Sequence, residues 1–291
     1  MSSGTLVVRR ATSGLNAVER GGRVILDRFA STKTNVIPHI IHQVWVGSND
    51  PPPHLQEYVE SWRRHHADWE IKLWQQDEHE RILQEYPQYQ ATYEGFPYVV
   101  QKADLIRVLY LHKHGGLYVD LDFECRKPFD PLFEEPRLIF GRETAGLGEV
   151  LNGENYVASS LMASPANHQF WLQLADQIKK AHRPQRWFEP REIYIVRTTG
   201  PELLTHALGD YMRHNDDVEI FSYEVFYPAP QVIRDVEERR RLGAELDSYA
   251  IHHYEDAWFS PLMKLLTWLR YVWFRIRRAL KSVFVPHKRN A

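Results

Sequence analysis

The sequence predicts an α/β domain built on a mainly parallel sheet. Three observations carry that prediction. An apolar, β-branched run, "NVIPHIIHQVWVG" (Asn35–Gly47), ends in glycine and reads as a buried strand. Strand-like and helix-like segments then alternate, the pattern of parallel strands joined by crossover helices. In "YVVQKADLIRVLYLHKHGG" (Tyr98–Gly116), Val100, Ala103, Ile106, Arg107, Tyr110 and Leu111 recur at three and four, and Gly115–Gly116 closes the helix.

The other elements follow in order. Residues 1–35 are polar and dotted with Gly, Ser and Thr, and are expected to form a flexible arm with a short helix near Leu15–Phe29. The folded domain is expected over 36–260. After its first strand, "SNDPPP" breaks the chain, and Leu55, Tyr58, Val59 and Trp62 repeat at helical spacing. "EIKLW" reads as a strand and "QDEHERILQEY" as a helix closed by Pro87. The strand "LYVDLDFE" (Leu117–Glu124) follows the double glycine. "PFDPLFEEP" is turn-rich. "RLIFGRE" and "YVASSLMAS" read as further strands, "ANHQFWLQLADQIKKAH" and "GPELLTHALGDYM" as helices, and "DVEIFSYEVFYP" and "SYAIHHY" as late strands.

The 291 residues, 43 % hydrophobic and 25 % charged, suit a globular protein of one large or two small domains. A formal net charge of −2 gives no reason to expect nucleic acid as a partner. Cys125 is the single cysteine, so no internal disulfide forms and a reducing compartment fits. Neither a signal peptide nor a membrane span is expected. The tail, 261–291, has a different character. No acidic residue follows Asp256, and Lys264, Arg270, Arg275, Arg277, Arg278 and Lys281 lie opposite a stripe that includes Leu262, Leu265, Leu266, Leu269, Val272, Trp273 and Ile276. This is the pattern of a helix lying on an anionic membrane surface, with 261–284 in contact. The expected location is cytoplasmic and peripherally membrane-associated; the plainer alternative is a terminal helix packed on the domain.

Asp120 and Asp122 stand one residue apart in an apolar run. On a strand, residues i and i+2 face the same way, so both carboxylates are expected on one face with Leu121 opposite. Two like charges that close resist joint ionisation unless they share a cation. Mg²⁺ or Mn²⁺ takes a few carboxylate oxygens and leaves positions for phosphate oxygens. Strand ends in α/β sheets are where ligands bind, so the expected ligand is a metal-bridged phosphate. Asp104 and Arg107 share a face one helical turn apart and reach the same pocket. The competing readings are two solvated aspartates and a surface ion pair of little energetic weight.

"IPHIIHQVWVG", "KADLIRVLYLHKHGGLYVDLDFECRKPFDPL", "RTTGPELLT" and "AIHHYEDAW" together resemble the DxD-containing sugar transferases. The nearest group is glycosyltransferase family 32, with yeast initiating mannosyltransferases and inositolphosphorylceramide mannosyltransferases; the glucosylating toxins of clostridia are more distant. The resemblance implies a GT-A fold and a retaining transfer from a nucleotide-sugar, GDP-mannose or a UDP-hexose, to a glycan or lipid-linked acceptor. It implies that Asp120 and Asp122 hold Mn²⁺ or Mg²⁺ against the donor diphosphate. Asp104 and Arg107 would grip the sugar hydroxyls. Trp45 would stack on the base, or pack in the core. Tyr118 would belong to the donor site, and Trp258 would sit on a loop closing over the diphosphate, although "EDAW" departs from the small-residue pair that often precedes this Trp. A third metal ligand would come from His252 or His253, with spacing to Trp258 favouring His253. Asn155, Thr199 and Gly200 would line the acceptor side.

No nucleophile stands out in the sequence, so the implied route is same-face attack with the leaving phosphate as base. Two rival classes are a metal-dependent phosphohydrolase, which usually carries its acidic motif on an early strand, and a non-catalytic membrane adaptor.

Overall fold

The apolar runs gather into a six-stranded sheet in a computed structural model of the chain, which describes residues 9–10, 16–20, 23–27, 36–47, 49–143, 156–255, 259–266, 268, 269 and 272. Two compact units are present, Met1–Asn35 and Val36–Ala291.

In the first unit, β1 (Arg9–Arg10), β2 (Asn16–Arg20) and β3 (Arg23–Asp27) form an antiparallel sheet. This replaces the short helix expected near Leu15–Phe29. The antiparallel register of β2 and β3 runs up to the pairing of Arg20 with Arg23. Two glycines between segments bearing Val18, Val24 and Ile25 are a hairpin signal, and it outweighs a loose helical period.

The second unit contains, in order, β4 (Ile40–Val44), α1 (Gln56–His65), β5 (Glu70–Trp74), α2 (Gln76–Glu85), α3 (Gln90–Gly95), α4 (Val99–His114), β6 (Gly116–Val119), β7 (Phe123–Cys125), β8 (Leu138–Arg142) and β9 (Val157–Ser164). α5 (Gln169–Ala181), α6 (Arg191–Thr198), α7 (Pro201–Tyr211), β10 (Val218–Phe221), α8 (Tyr223–Phe226), α9 (Val236–Glu245) and β11 (Ala250–His252) follow. Residues 261–266 are helical. The sheet order is β10-β8-β9-β6-β4-β5. β4 is parallel to β5 and β6, and β8 to β10, while β9 runs against β6 and β8. The mainly parallel α/β architecture is therefore the predicted one. β7 leaves this sheet and pairs antiparallel with β11.

Strand alternation sorts the core into two layers. Tyr118, Leu138, Phe140 and Met162 join one cluster with Leu109, Trp171 and Ile178 of the helices. Their neighbours Leu117, Val119, Ile139 and Leu161 join the other, with Trp62, Phe123 and Phe129. Both faces are covered, which is why the strands read as continuous apolar runs. No helix among the described residues is long and apolar enough to cross a membrane.

The reversal from α4 into β6 needs its glycines. Gly115 has φ +64° and Gly116 φ +87°, a region that favours a residue without Cβ. A Cβ on Gly116 would also stand 2.5 Å from the Ile40 carbonyl oxygen, and one on Gly115 would collide with the backbone of Ala166. His42 of β4 clamps the turn. Its Nε2 bonds the Gly115 carbonyl at 2.7 Å, and its Nδ1 accepts from the Trp74 indole at 2.9 Å. The ring is therefore neutral, and burial pushes its pKa down to about 3. Burial also lowers His66, His79, His112 and His114.

These histidines set a pH dependence. Below the ordinary histidine pKa the unfolded chain binds protons that the folded chain refuses, so stability falls as pH drops. Between about pH 7 and pH 5, His42 alone removes about 2 kcal/mol. Urea unfolding should show a lower midpoint at the acid pH, and His42→Gln should flatten that dependence. Equal midpoints at the two pH values would contradict the neutral clamp.

Candidate active site

β6 ends at Val119 and β7 begins at Phe123, so Asp120–Leu121–Asp122 forms a turn rather than part of one continuous strand. The Phe123 N–H donates to the Asp120 carbonyl at 3.2 Å, and the Asp120 N–H donates to Ser160 of β9 at 2.9 Å. The cause lies outside the segment. Phe123 is held by the Trp62 indole of α1, which donates to its carbonyl at 2.8 Å, and by pairing with His252 of β11. Leu121 packs on Leu55 and Tyr58. The two carboxylates converge through turn geometry and not through strand alternation.

His252 completes the group. The ligand atoms of Asp120, Asp122 and His252 lie within 4.8 Å of one another. His252 Nε2 is 3.2 Å from Asp122 Oδ1, and its ring stacks on Phe123 at 4.3 Å. Spacing to Trp258 favours His253, but it is His252 that stands with the two carboxylates. Adjacent residues on an extended chain face opposite ways. His253 Nε2 meets Glu124 Oε2 at 3.0 Å, and its ring stacks on Tyr58. Asp122 also accepts from the Glu255 N–H at 2.8 Å. Trp258 and Asn155 lie outside the described residues.

Asp104 and Arg107 are buried together beside this group, not exposed as a surface pair. They form a close ion pair, and Arg107 Nη1 also reaches Asp120 Oδ1 at 3.3 Å. The guanidinium lies over the Tyr118 ring at 5.2 Å. The Tyr118 hydroxyl donates to Asp120 Oδ1 at 2.5 Å, and the Thr199 hydroxyl donates to Asp104 Oδ2 at 2.5 Å. The electrostatics separate the two motif carboxylates. Burial, with Asp122 nearby, pushes Asp120 up against the pull of Arg107. Burial acts on Asp122 too, but His252 beside it holds the carboxyl below the usual range. Burial opposes a charge on His252, yet Asp122 raises its pKa.

These side chains line a cleft of about 280 Å³, with Trp45 and Leu55 on one wall and Gly200 and Ile195 on another. Thr199 acts through Asp104. Sequence reasoning did not single out Glu143, Ser160, Tyr254 and Glu255, which line the same cleft. Ser159–Ser160, polar in an otherwise apolar strand, was a readable signal; Glu143 and Tyr254 had none, because only tertiary packing brings them here. Two carboxylates and an imidazole within one coordination radius fit a hard or borderline divalent cation such as Mg²⁺ or Mn²⁺. The Nδ1 of His252 is buried without a hydrogen-bond partner, while Nε2 stands beside Asp122 Oδ1 and would be the nitrogen that meets a cation. Cys125 offers no thiolate: burial pushes it up to about 12.

Residues 52–139 match the family described as a glycosyltransferase sugar-binding region containing a DXD motif. The chain is 34 % identical over 189 residues to mannosyl phosphorylinositol ceramide synthase SUR1 of Saccharomyces cerevisiae, covering 65 % of this chain and 46 % of that protein. It is 26 % identical over 247 residues to inositol phosphoceramide mannosyltransferase 1 of Schizosaccharomyces pombe, covering 84 % and 69 %. It spans about half the length of SUR1 and of the related synthase CSH1. Among solved structures it is similar to the PaToxG glycosyltransferase, with TM-score 0.46 and 16 % identity over 61 % of this chain and 71 % of that one.

The buried ion pair can be tested directly. Arg107→Met leaves Asp104 buried without its cation, which should lower unfolding free energy by about 3–5 kcal/mol. Pairing it with Asp104→Asn should recover part of that loss. A urea-unfolding difference below about 1 kcal/mol would be the value for a solvated pair and would refute the burial.

Proposed function

We infer that this chain, which carries the DXD-containing sugar-binding region of the glycosyltransferases, is a retaining glycosyltransferase of GT-A type that moves a hexose from a nucleotide-sugar to a glycan or lipid-linked acceptor. The observation that supports this best is the convergence of Asp120, Asp122 and His252 at a cleft backed by the buried Asp104–Arg107 pair. The names of the yeast relatives favour mannose as the hexose; the donor would then be GDP-mannose, as the family resemblance implies, with a UDP-hexose as the alternative.

When bound by Asp120, Asp122 and His252, Mn²⁺ or Mg²⁺ supplies Lewis-acid stabilisation of the charge that gathers on a departing diphosphate. The chain's own groups do the positioning. Arg107 and the Tyr118 hydroxyl fix Asp120 Oδ1 from two sides. Asp104, itself fixed by Thr199 and Arg107, presents its carboxylate to the sugar. Trp45, partly buried on the cleft wall, offers a ring face to the base. The acceptor hydroxyl attacks from the face that the diphosphate leaves, and its proton passes to the leaving phosphate oxygen.

The phosphohydrolase alternative would take Asp120 as its nucleophile and would have to use Oδ2, because Oδ1 is engaged by both Arg107 and Tyr118.

Incubated with Mn²⁺ and a panel of nucleotide-sugars without acceptor, the protein should slowly release a nucleoside diphosphate from one of them. Asp122→Asn should reduce this by at least about a thousandfold, the scale of a lost transition-state electrostatic contact, while the melting temperature stays near that of the wild type. Release of inorganic phosphate from a phosphoester instead would identify a phosphohydrolase. A second measurement separates the histidines. Mn²⁺ affinity, read by electron paramagnetic resonance, should fall at least about tenfold in His252→Ala and change little in His253→Ala; the reverse order would exchange their roles.

A further inference from the structure

The helix at 261–266 carries its apolar stripe outward. Leu262, Leu265, Leu266 and Leu269 stand at i, i+3, i+4 and i+7 and share one face. They are between 43 % and 65 % exposed, and Trp268 is 50 % exposed. On the other side, Met263 is buried and packs with Phe259, Val196 and Tyr156. An amphipathic helix on a soluble domain turns its stripe to the core. Here one methionine anchors the helix and the leucines face away, forming an apolar patch of the kind that marks an interaction surface.

Cationic groups lie beside the same helix, on the flank away from the leucines. Arg234 and Lys264, both exposed, line a cavity of about 390 Å³ together with Arg239, His253, Tyr254 and Glu255. Glu255, the one carboxylate among those lining residues, lies 3.4 Å from His54 Nε2. Arg234 and Lys264 also line an adjoining cavity of about 190 Å³ with Phe259 and Trp268. Phe259 in turn lines the catalytic cleft. An indole and two cations thus meet beside the cleft rim, on the flank of the helix away from the leucines.

We propose that the exposed face formed by Leu262, Leu265, Leu266 and Leu269 docks on an anionic phospholipid bilayer, and that the cavity lined by Arg234 and Lys264, on the other flank of the helix, receives a headgroup phosphate. A bilayer interface offers acyl chains to the leucines, an interfacial layer to Trp268 and negative charge to the cations. The sequence continues with the same sign: Arg270, Arg275, Arg277, Arg278, Lys281, Lys288 and Arg289 follow, with no acidic residue after Asp256. A second copy of the chain would also cover the leucines. In a two-fold pair, however, the same patch meets itself, and the cations would face like charges.

The test is co-sedimentation of the full chain with vesicles of phosphatidylcholine containing phosphatidylserine, against phosphatidylcholine alone. The wild type should bind the anionic vesicles and lose affinity as salt rises. Leu265→Glu/Leu269→Glu should abolish binding. Lys264→Ser, an exposed position that keeps the test open if the leucine changes disturb the helix, should weaken it about fivefold. Donor hydrolysis without acceptor should persist in Lys264→Ser, so loss of docking is distinguishable from failure of the transferase reading. Equal binding to both vesicle types would overturn the proposal. So would unchanged binding in both variants, or a wild-type dimer that leaves vesicles unbound and becomes monomeric in the double variant.

Discussion

Arg107 is buried between two carboxylates, and the cleft is arranged around it. A guanidinium out of water requires charged or polar partners on most of its edges. One partner, Asp104, comes from its own helix one turn earlier. The other, Asp120, comes from the turn after β6, and they meet only because Gly115–Gly116 reverses the chain so sharply. The Tyr118 ring beneath the cation and Thr199 on Asp104 bring in β6 and the end of α6. A helix, a strand and a distant helix end are thereby fixed to one charge. The position of Asp120 is a consequence of satisfying that charge.

The pair beyond it follows a different logic. Asp122 and His252 support each other, the carboxyl held low and the imidazole held high. His252 Nε2 stands 3.2 Å from Asp122 Oδ1, at the side of the motif that Arg107 does not reach. Glu143 adds a further carboxylate to the wall. A diphosphate entering this cleft meets the carboxylates of Asp104, Asp120, Asp122 and Glu143 against the one guanidinium of Arg107. On the proposed function, donor binding therefore depends on a divalent cation arriving with it or before it.

Much of this was legible in the sequence, and the rest fails for nameable reasons. The sheet, α4 and the carboxylate pair follow from periodicity and from the double glycine. The i, i+3 spacing of Asp104 and Arg107 shows that they can pair; only the packing around α4 shows that they are buried. "LYVDLDFE" reads as one strand because its letters are apolar, yet the break at Asp120 is imposed by Trp62, sixty-one positions from Phe123, and by β11. The choice between His252 and His253 is a matter of register, and register belongs to the β7–β11 ladder rather than to either strand alone. The hairpin of the first unit was signalled by Gly21–Gly22 and read instead as a weak helical period.

The tail poses the same problem in another form. Periodicity shows that a helix has two faces but not which of them meets the protein. Burial of Met263 and exposure of Leu262, Leu265 and Leu266 settle that orientation. The choice matters because the anchor is not separate from the site. Phe259 and Val196 line the cleft and pack with Met263, and the Ser260 N–H donates to Glu192 of α6 at 2.6 Å. The root of the helix is therefore part of the cleft wall. A membrane on the outer face and a ligand in the cleft would act on the same few side chains. By linkage, whatever docking contributes to ordering them, a filled cleft returns to docking.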